Sequence, residues 1–424
     1  MTPALLYVLL MAACFVGLVV WAKLPVSLSL VATSVLLALA AGRSLPLAQL
    51  VEGMFGYLDT CLVLIMAMIF MKVIEANGLL GELTRAITVT LGRSPLLLLV
   101  ALTLVIMFPG AITGSCTASV LGTGVLVLPI LSEMGMPLAV AGAVITSASV
   151  YGMIAPPVNI PVMIIGGGID LPYIGFDLAL AAITIPLAIL TTLFIGYRHV
   201  DRAKLARVVE QNRLLPKAGS WTIYLPLILV MVLLIGPKAF PMWFPDPRLP
   251  FTFLLCALAG LVTGRRVDPV KAARSGAAEI LPVVGILFGV GMLIEIMTMT
   301  GLRGAIVIGA LSLPSYLMLA GVAVILPLFG GISVYGGASV LGVPFALAMI
   351  GKNPIIVLSA LSLIGAMGSY MPPVALTPVI TAQVIGLPGY GRINRYCFWP
   401  AVIAVAVGVL LLVYADRVGK LLGA

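Results

Sequence analysis

The sequence predicts an all-α polytopic membrane protein made of two inverted-topology repeats, each with about five crossings and one re-entrant hairpin. Three observations predict it. Of 424 residues 62% are hydrophobic and 9% charged, with mean hydropathy +1.25, whereas a soluble domain holds roughly 45–50% apolar and about 25% charged residues. One unusual segment occurs twice. Lys and Arg also fall unequally on the two sides that the crossings define.

Apolar runs long enough to cross a bilayer, about 20 residues each, recur along the whole length. Gly 45 and Pro 30 exceed what simple spanning helices use. Irregular backbone persists at membrane depth only where it is buried or lines a cavity, so this excess points to a site. The first ten residues lack a basic stretch and no small-residue cleavage site follows, so no cleavable signal peptide is expected.

The duplicated segment reads Ala118-Ser119-Val120-Leu121-Gly122 and later Pro156-Pro157-Val158-Asn159-Ile160-Pro161-Val162 in its first copy. The second reads Ala338-Ser339-Val340-Leu341-Gly342, then Pro372-Pro373-Val374-Ala375-Leu376-Thr377-Pro378-Val379. A smaller echo, Gly78-Leu79-Leu80-Gly81 and Gly301-Leu302-Arg303-Gly304, precedes each copy. The offsets are 223, 220 and 216 residues in chain order. Helix breakers at matching positions in two apolar halves are the sequence sign of a secondary transporter, whose substrate and ions bind where broken helices meet.

Residues 1–197 form the first repeat, with crossings near 4–22, 26–42, 55–76, 138–168 and 172–197. Residues 221–424 form the second, with crossings near 221–237, 250–264, 275–299, 354–387 and 397–415, and the basic loop 198–220 joins the two. Two stretches in matching places, about 95–134 and 313–350, carry a Gly/Ser/Thr-rich break between apolar runs, at Pro109 to Thr117 and at Gly330 to Gly337. These read as re-entrant hairpins with tips at mid-membrane, and 138–168 and 354–387 as broken helices. The short stretches 81–92 and 304–311 read as interfacial arm helices between a fixed scaffold and a moving core.

Charge chooses between hairpins and full crossings. With five crossings per half, 15 Lys and Arg face the side of the basic loop and 7 the other, Lys72 being inside a span. The positive-inside rule then makes that loop cytoplasmic, both termini external and the repeats inverted. Extra crossings would move Arg85 and Arg93 outside and make the repeats parallel. The net charge of +9 is accounted for by these loops, without nucleic acid.

A helix broken at mid-membrane exposes N–H groups of positive partial charge, which attract anions, and carbonyls, which coordinate small cations. Around the first tip, Thr113, Ser115, Thr117 and Ser119 offer hydroxyls, joined by Asn159 on the broken helix. Around the second stand Ser333, Tyr335, Ser339 and Thr377. Hard cations prefer oxygen ligands, and hydroxyls plus carbonyls suit sodium. A membrane Ser or Thr often bonds only the carbonyl one turn back, and a Pro pair can merely kink a helix; recurrence in both halves lifts these clusters above that.

No Asp, Glu, His, Lys or Arg falls inside either tip or either Pro break. Proton-coupled carriers usually need a titratable group in the membrane, so the centre favours sodium over protons. Lys72, Glu75, Glu279 and Glu295 lie in or near spans, where snorkelling or scaffold pairing is expected. His199 reads as a solvated residue of the basic loop. Cys14, Cys61, Cys116, Cys256 and Cys397 lack metal-ligand spacing and read as apolar fillers. There is no HExxH, CxxC or phosphate loop, Gly166-Gly167-Gly168 included, so neither an enzyme nor an ATP-driven pump is expected. A channel lacks its ring of filter carbonyls.

The order of Gly114-Ser115-Cys116, Pro156-Pro157, a basic mid-chain loop, a second Gly-rich tip and Met371-Pro372-Pro373-Val374 resembles the large membrane subunit of tripartite ATP-independent periplasmic (TRAP) transporters, over essentially the whole chain. The resemblance implies a transport domain that moves like an elevator against a scaffold, in the bacterial cytoplasmic (inner) membrane. It also implies sodium-driven uptake of small organic anions, often dicarboxylates or sugar acids, with no organic cofactor. Two partners are implied: a small four-helix membrane subunit and a soluble periplasmic substrate-binding protein. Carried over, Gly114, Ser115 and Thr117 with Pro156, Pro157 and Asn159 would form one sodium site. Ser333, Gly336, Gly337 and Ser339 with Pro372, Pro373 and Thr377 would form the other. Thr113, Cys116, Asn159, Tyr335, Gly336 and Thr377 are the candidate substrate contacts. Many relatives have a small residue or Ser where Cys116 stands, Ser where Val158 stands and Gly where Ala375 stands, departures that bear on ion contacts and substrate identity. A stand-alone carrier or antiporter of the same superfamily, needing no binding protein, is the alternative.

Overall fold

The computed structural model describes residues 3–214, 221–240, 242, 247–311, 314–372 and 374–423, and among them every regular element is a helix. The chain opens with α1 (Pro3–Val20), α2 (Val26–Ala40), α3 (Leu47–Phe55), α4 (Leu58–Ala76) and α5 (Leu79–Leu91). The first hairpin follows as α6 (Pro95–Thr113), α7 (Cys116–Ser119), a π-helical turn (Val120–Gly124) and α8 (Val125–Glu133). The first broken helix is α9 (Leu138–Met153) and α10 (Ile160–Gly168), followed by α11 (Phe176–Gly196) and α12 (Arg202–Leu214). The second half runs α13 (Leu225–Ala239), α14 (Arg248–Leu261), α15 (Pro269–Met299) and α16 (Leu302–Leu311). Its hairpin is α17 (Ser315–Gly330), α18 (Val334–Gly337), a π-helical turn (Ala338–Gly342) and α19 (Val343–Ala348). The second broken helix is α20 (Pro354–Ala366) and α21 (Leu376–Val384), and α22 (Gly391–Val413) and α23 (Ala415–Leu422) close the chain.

Helix starts follow local chemistry. Ser94 accepts the Leu97 N–H ahead of Pro95, and Asp268 accepts those of Val270 and Lys271 ahead of Pro269. A proline at the first helical position gives up no bond, since that N–H has no partner within the helix. Among the described residues six helical stretches are long and apolar enough to cross a membrane: Pro95–Thr113, Cys116–Glu133, Phe176–His199, Trp221–Ala239, Pro269–Met299 and Gly391–Val413. A seventh is added if α3 and α4, bent by 45°, count as one span. The crossings expected near 138–168 and 354–387 are carried by pairs of short helices meeting at a break.

α2 and α3 pack along α15, and α4 packs along both α14 and α15. The backbones nearly touch where Gly53 faces Gly291, and a Cβ on Gly53 would lie 2.5 Å from the Gly291 carbonyl oxygen. Elsewhere α6 packs along α9, and α17 along α20; α9 and α20 are backed by α11 and α22 respectively. Contacts made in the first half recur in the second. Gly110 meets the backbone of Gly152, and Gly330 that of Gly368. A Cβ on Gly152 would lie 2.6 Å from the Met107 carbonyl oxygen, and one on Gly368 would overlap the Pro327 carbonyl oxygen. Each pair keeps the offsets of 220 and 216 residues seen in the sequence.

Where the structure departs from the sequence reading, the cause is mostly charge or amphipathicity. The basic stretch read as a loop holds α12, whose Leu205 and Val208 are buried toward α5 and α8 while its charges face outward; residues 215–220 lie outside the described residues. α22 begins at Gly391 rather than near 397, because Arg392 and Arg395 depress the local hydropathy without breaking the helix. α15 begins at Pro269, six residues ahead of the expected 275, where Asp268 caps it. α3 and α23 are short helices that a search for spanning runs passes over. The expected arms are helical over slightly longer stretches, α5 and α16.

Because the glycine contacts leave no room for a methyl group, Gly152→Ala and Gly368→Ala should each destabilise the protein by about 1–3 kcal/mol through overpacking. Gly81→Ala, in α5 with nothing within 4 Å of the added carbon, should be neutral or stabilising by about 0.5–1 kcal/mol. Thermal unfolding in detergent measures all three.

Candidate functional site

Each hairpin turns over only two or three residues. α6 ends at Thr113, and Gly114 follows with φ +65°, where an L side chain is strained and a Cβ would lie 2.5 Å from Ile160 Cγ1. Ser115 then caps α7, its hydroxyl accepting the Ala118 N–H at 3.4 Å. In the second hairpin Ser333 caps α18 in the same manner, accepting the Gly336 N–H at 3.0 Å. Both breaks are therefore narrower than the sequence indicated. Pro109 to Thr113 remain helical, and Thr117, Gly336 and Gly337 lie in helix beyond the turn. Pro109 removes one donor without stopping the helix, a defect that buried membrane helices tolerate. The Thr113 hydroxyl donates to the Pro109 carbonyl at 2.7 Å, one turn back.

Each Pro break lies against the hairpin tip of its own half. The Val158 N–H donates to the Ala111 carbonyl at 3.1 Å, and the Val374 N–H to the Gly331 carbonyl at 3.3 Å. Asn159 starts α10. Its Oδ1 accepts the Val162 N–H at 3.0 Å and the Ser362 hydroxyl of α20 at 2.9 Å, while Nδ2 donates to the Ile154 carbonyl at 2.8 Å. That carboxamide closes its own break and joins the two broken helices. Ala375 holds the corresponding place before α21; lacking a side-chain acceptor, it enters the helix with φ +42° in the left-handed region. The Pro156–Pro157 peptide is cis. Pro372 stands at the second break, and Pro373 lies outside the described residues.

The two tips meet. The Tyr335 hydroxyl, from the second hairpin, donates to the Gly114 carbonyl of the first at 2.7 Å. α10 packs on α18 and on the π-helical turn behind it, and α21 packs on α7 and on the equivalent first turn. The Thr377 side chain faces the Cys116 thiol. Two side-chain oxygens in these elements, Ser119 Oγ and Ser339 Oγ, belong to wholly buried residues and have no protein partner among the described residues, and the equally buried Thr377 Oγ1 has only the Cys116 thiol beside it. Leaving a buried hydroxyl unpaired costs about 1–3 kcal/mol. Ser119 and Ser339 occupy the same place in each half. Among the described residues no three His, Cys, Asp or Glu side chains converge, and the polar atoms gathered here are hydroxyls, a carboxamide, carbonyls and the Cys116 thiol. Such a set suits a small hard cation, and the N-termini of α10 and α21 add positive ends for an anion.

Among the described candidate residues of the tips and breaks, hydrogen bonding separates two groups. Asn159, Thr113, Ser115 and Ser333 are engaged with their own backbone, whereas Ser119, Ser339 and Thr377 are not. Sequence reasoning passed over Tyr57, whose hydroxyl donates to the Ile164 carbonyl of α10 at 2.7 Å, and Ser362. It also gave no role to Arg303, which reaches from α16 to the Gly168 carbonyl at 2.8 Å and Asp170 at 2.9 Å. Arg303 sits in the duplicated Gly301 to Gly304 echo, a signal that was available; a lone Tyr or Ser carries none.

The charged residues lie apart from the tips. Lys72 pairs with Glu75 at 2.9 Å and Glu279 at 2.7 Å, as scaffold pairing predicts. Lys72 and Glu75 border a cavity of about 990 Å³ that Glu82, Arg85, Arg265 and the π-helical turn of the first hairpin also line. His199 is half-buried, with Nδ1 3.2 Å from the Ile195 carbonyl and its ring edge-on to Tyr396; it packs between α11 and α22 instead of being solvated in a loop.

The model of the family described as the tripartite ATP-independent periplasmic transporter, DctM component, matches residues 11–417. The crystal structure of the Alcanivorax borkumensis YdaH transporter, described as revealing an unusual topology, is similar in fold, with a TM-score of 0.62 at 17% identity over 86% of this chain and 87% of that one. No curated protein matches the chain.

Asn159→Ala removes a helix cap and strands the partners of three bonds, so a loss of about 2–4 kcal/mol is expected in thermal unfolding. Tyr335→Phe keeps the ring and removes one bond, and should cost about 1 kcal/mol by the same measurement.

Proposed function

The chain belongs to the DctM family of tripartite ATP-independent periplasmic transporters, and from that premise we propose that it is the membrane carrier subunit of a sodium-coupled importer of small organic acids of the dicarboxylate or sugar-acid class. The observation that carries the proposal is the meeting of two hairpin tips and two Pro breaks around buried hydroxyls that have no protein partner. Sodium is held by oxygens alone: Ser119 and Gly114 with Thr117 and Thr377 on one side, Ser339 and Gly337 on the other. The organic anion lies between them, toward Tyr335, Cys116 and Gly336, with the N-termini of α10 and α21 supplying positive ends. That no Asp, Glu, His, Lys or Arg falls in the tips and breaks argues for sodium against protons.

The two halves act as inverted repeats, a reading supported by the recurrence of backbone contacts at the offsets of the duplicated segment. The hairpins and broken helices move together as a transport domain against α1–α4 and α13–α15. The Lys72 cavity then opens on the side of α12, which the positive-inside rule makes cytoplasmic, while Arg303 holds the C-terminal end of α10 on the opposite side. The subunit works in the bacterial inner membrane and takes substrate from a periplasmic binding protein. A small four-helix subunit covers part of its lipid-facing surface, to which α13 offers the least buried of the spans.

Uptake into proteoliposomes holding the carrier and its four-helix subunit, with the loaded binding protein outside, should follow an inward sodium gradient. Indifference to sodium together with dependence on a pH gradient would reject the coupling, and equal uptake without the binding protein would move the chain to the stand-alone class. Ser119→Ala and Ser339→Ala should each raise the sodium concentration for half-maximal uptake about tenfold, the penalty of one lost buried ligand. Their ion-free unfolding midpoints should not fall, since neither hydroxyl bonds the protein.

A further inference from the structure

Away from the hairpin tips, an open cleft of about 510 Å³ lies where α5 turns into α6 and α12 crosses that turn. Arg93 of the turn and Arg202 and Arg213 of α12 line it. On α12, Arg202, Leu205, Val209 and Arg213 follow helical spacing, so both arginines flank one apolar stripe. That stripe is seated on the turn, with Val209 packed directly against Gly92. The floor of the cleft is therefore apolar and close-fitting, and its rim is cationic.

The rim charges are not neutralised by the protein. Among the described residues the one ion pair reaching any of the three arginines is Arg213 to Glu210 at 3.8 Å, both 63% exposed, and such pairs contribute little. The nearby Asp201 carboxylate is engaged as the cap of α12, accepting the Ala203 and Lys204 N–H groups. Ser94 and Pro95 also line the cleft, so the positive end of the 19-residue α6 opens into it. Immediately beyond, Leu96 and Leu97 are 43% and 51% exposed at the start of a span that reads as membrane-crossing.

We infer that this cleft binds the phosphate of an anionic phospholipid headgroup, with the acyl chains running up the outer face of α6 over Leu96 and Leu97. A soluble oxyanion shares the phosphate chemistry, but it has no use for an apolar track leading from the cleft. The face carrying the excess of Lys and Arg is the one turned to the leaflet whose anionic lipids attract basic clusters at membrane boundaries. The site is independent of the sodium and substrate reading, because it needs only the side of the membrane on which α12 lies.

The test uses the full chain in detergent, with thermal unfolding as the readout, titrated in separate arms with dioctanoyl phosphatidylglycerol, dioctanoyl phosphatidylcholine and inorganic phosphate. Phosphatidylglycerol should raise the midpoint where the other two do not. Arg93→Gln, Arg202→Gln and Arg213→Gln should each raise the half-saturating lipid concentration about fivefold, and the triple variant should lose the response while keeping the lipid-free midpoint. An equal shift with phosphatidylcholine, an equal shift with phosphate, or an undiminished phosphatidylglycerol response in the triple variant would each overturn the assignment. If the triple variant fails to fold, the single variants decide.

Discussion

Inside a bilayer no water is at hand to bond a free N–H or carbonyl, so every interruption of a helix must be closed by the protein itself. This chain interrupts its helices four times in two meeting places, and most of its unusual residues serve that closure. The Val158 and Val374 N–H groups are taken by carbonyls of the neighbouring hairpin tips. Asn159 takes an N–H, a carbonyl and a hydroxyl with one carboxamide. Tyr335 takes the carbonyl of Gly114 across the boundary between the halves. What remains unpaired after this closure is a short set of buried hydroxyls at the centre, and the proposed ion site rests on them.

Closure of this kind demands close approach, which explains the glycines better than flexibility does. Gly110 against Gly152 and Gly330 against Gly368 let hairpin and broken helix run backbone to backbone, bringing tip and break within hydrogen-bond reach. Gly53 against Gly291 does the same between α3 and α15. Small residues here replace the hydrophobic driving force that lipid cannot supply between helices. The halves differ where identical chemistry is not required: one enters its short helix through an asparagine cap, the other through a left-handed alanine.

Charge is kept out of the centre and put to use at its edges. The Lys72 triad satisfies one lysine with two carboxylates beside an open cavity, and Arg303 joins α16 to the far end of α10. The two lie on elements that pack against the hairpins and broken helices, so a displacement of that core would strain the contacts between them. The rim of arginines around α12 belongs to the membrane boundary instead, where a basic helix meets the ends of α5 and α6.

Composition, periodic apolar runs and the doubled breaker motif were enough to read an all-helical membrane protein and to mark where helices end around Gly114, Gly331 and the two Pro pairs, because hydropathy and helix-breaking are local properties. The same local character hid α12, α3 and α23, whose apolar faces are narrow, and overextended the tips, since Pro109 sits inside a helix that runs on to Thr113. Which hydroxyls stay available could not be read along the chain. Ser115 and Ser339 look alike in sequence, yet one caps a helix and the other has no protein partner, and that difference depends on backbone angles and on which carbonyl lies opposite. The bonds from Tyr335 to Gly114 and from Ser362 to Asn159 span 221 and 203 residues. Such pairings exist only once the halves are packed, because they are set by the approach of two surfaces and by nothing in either segment alone.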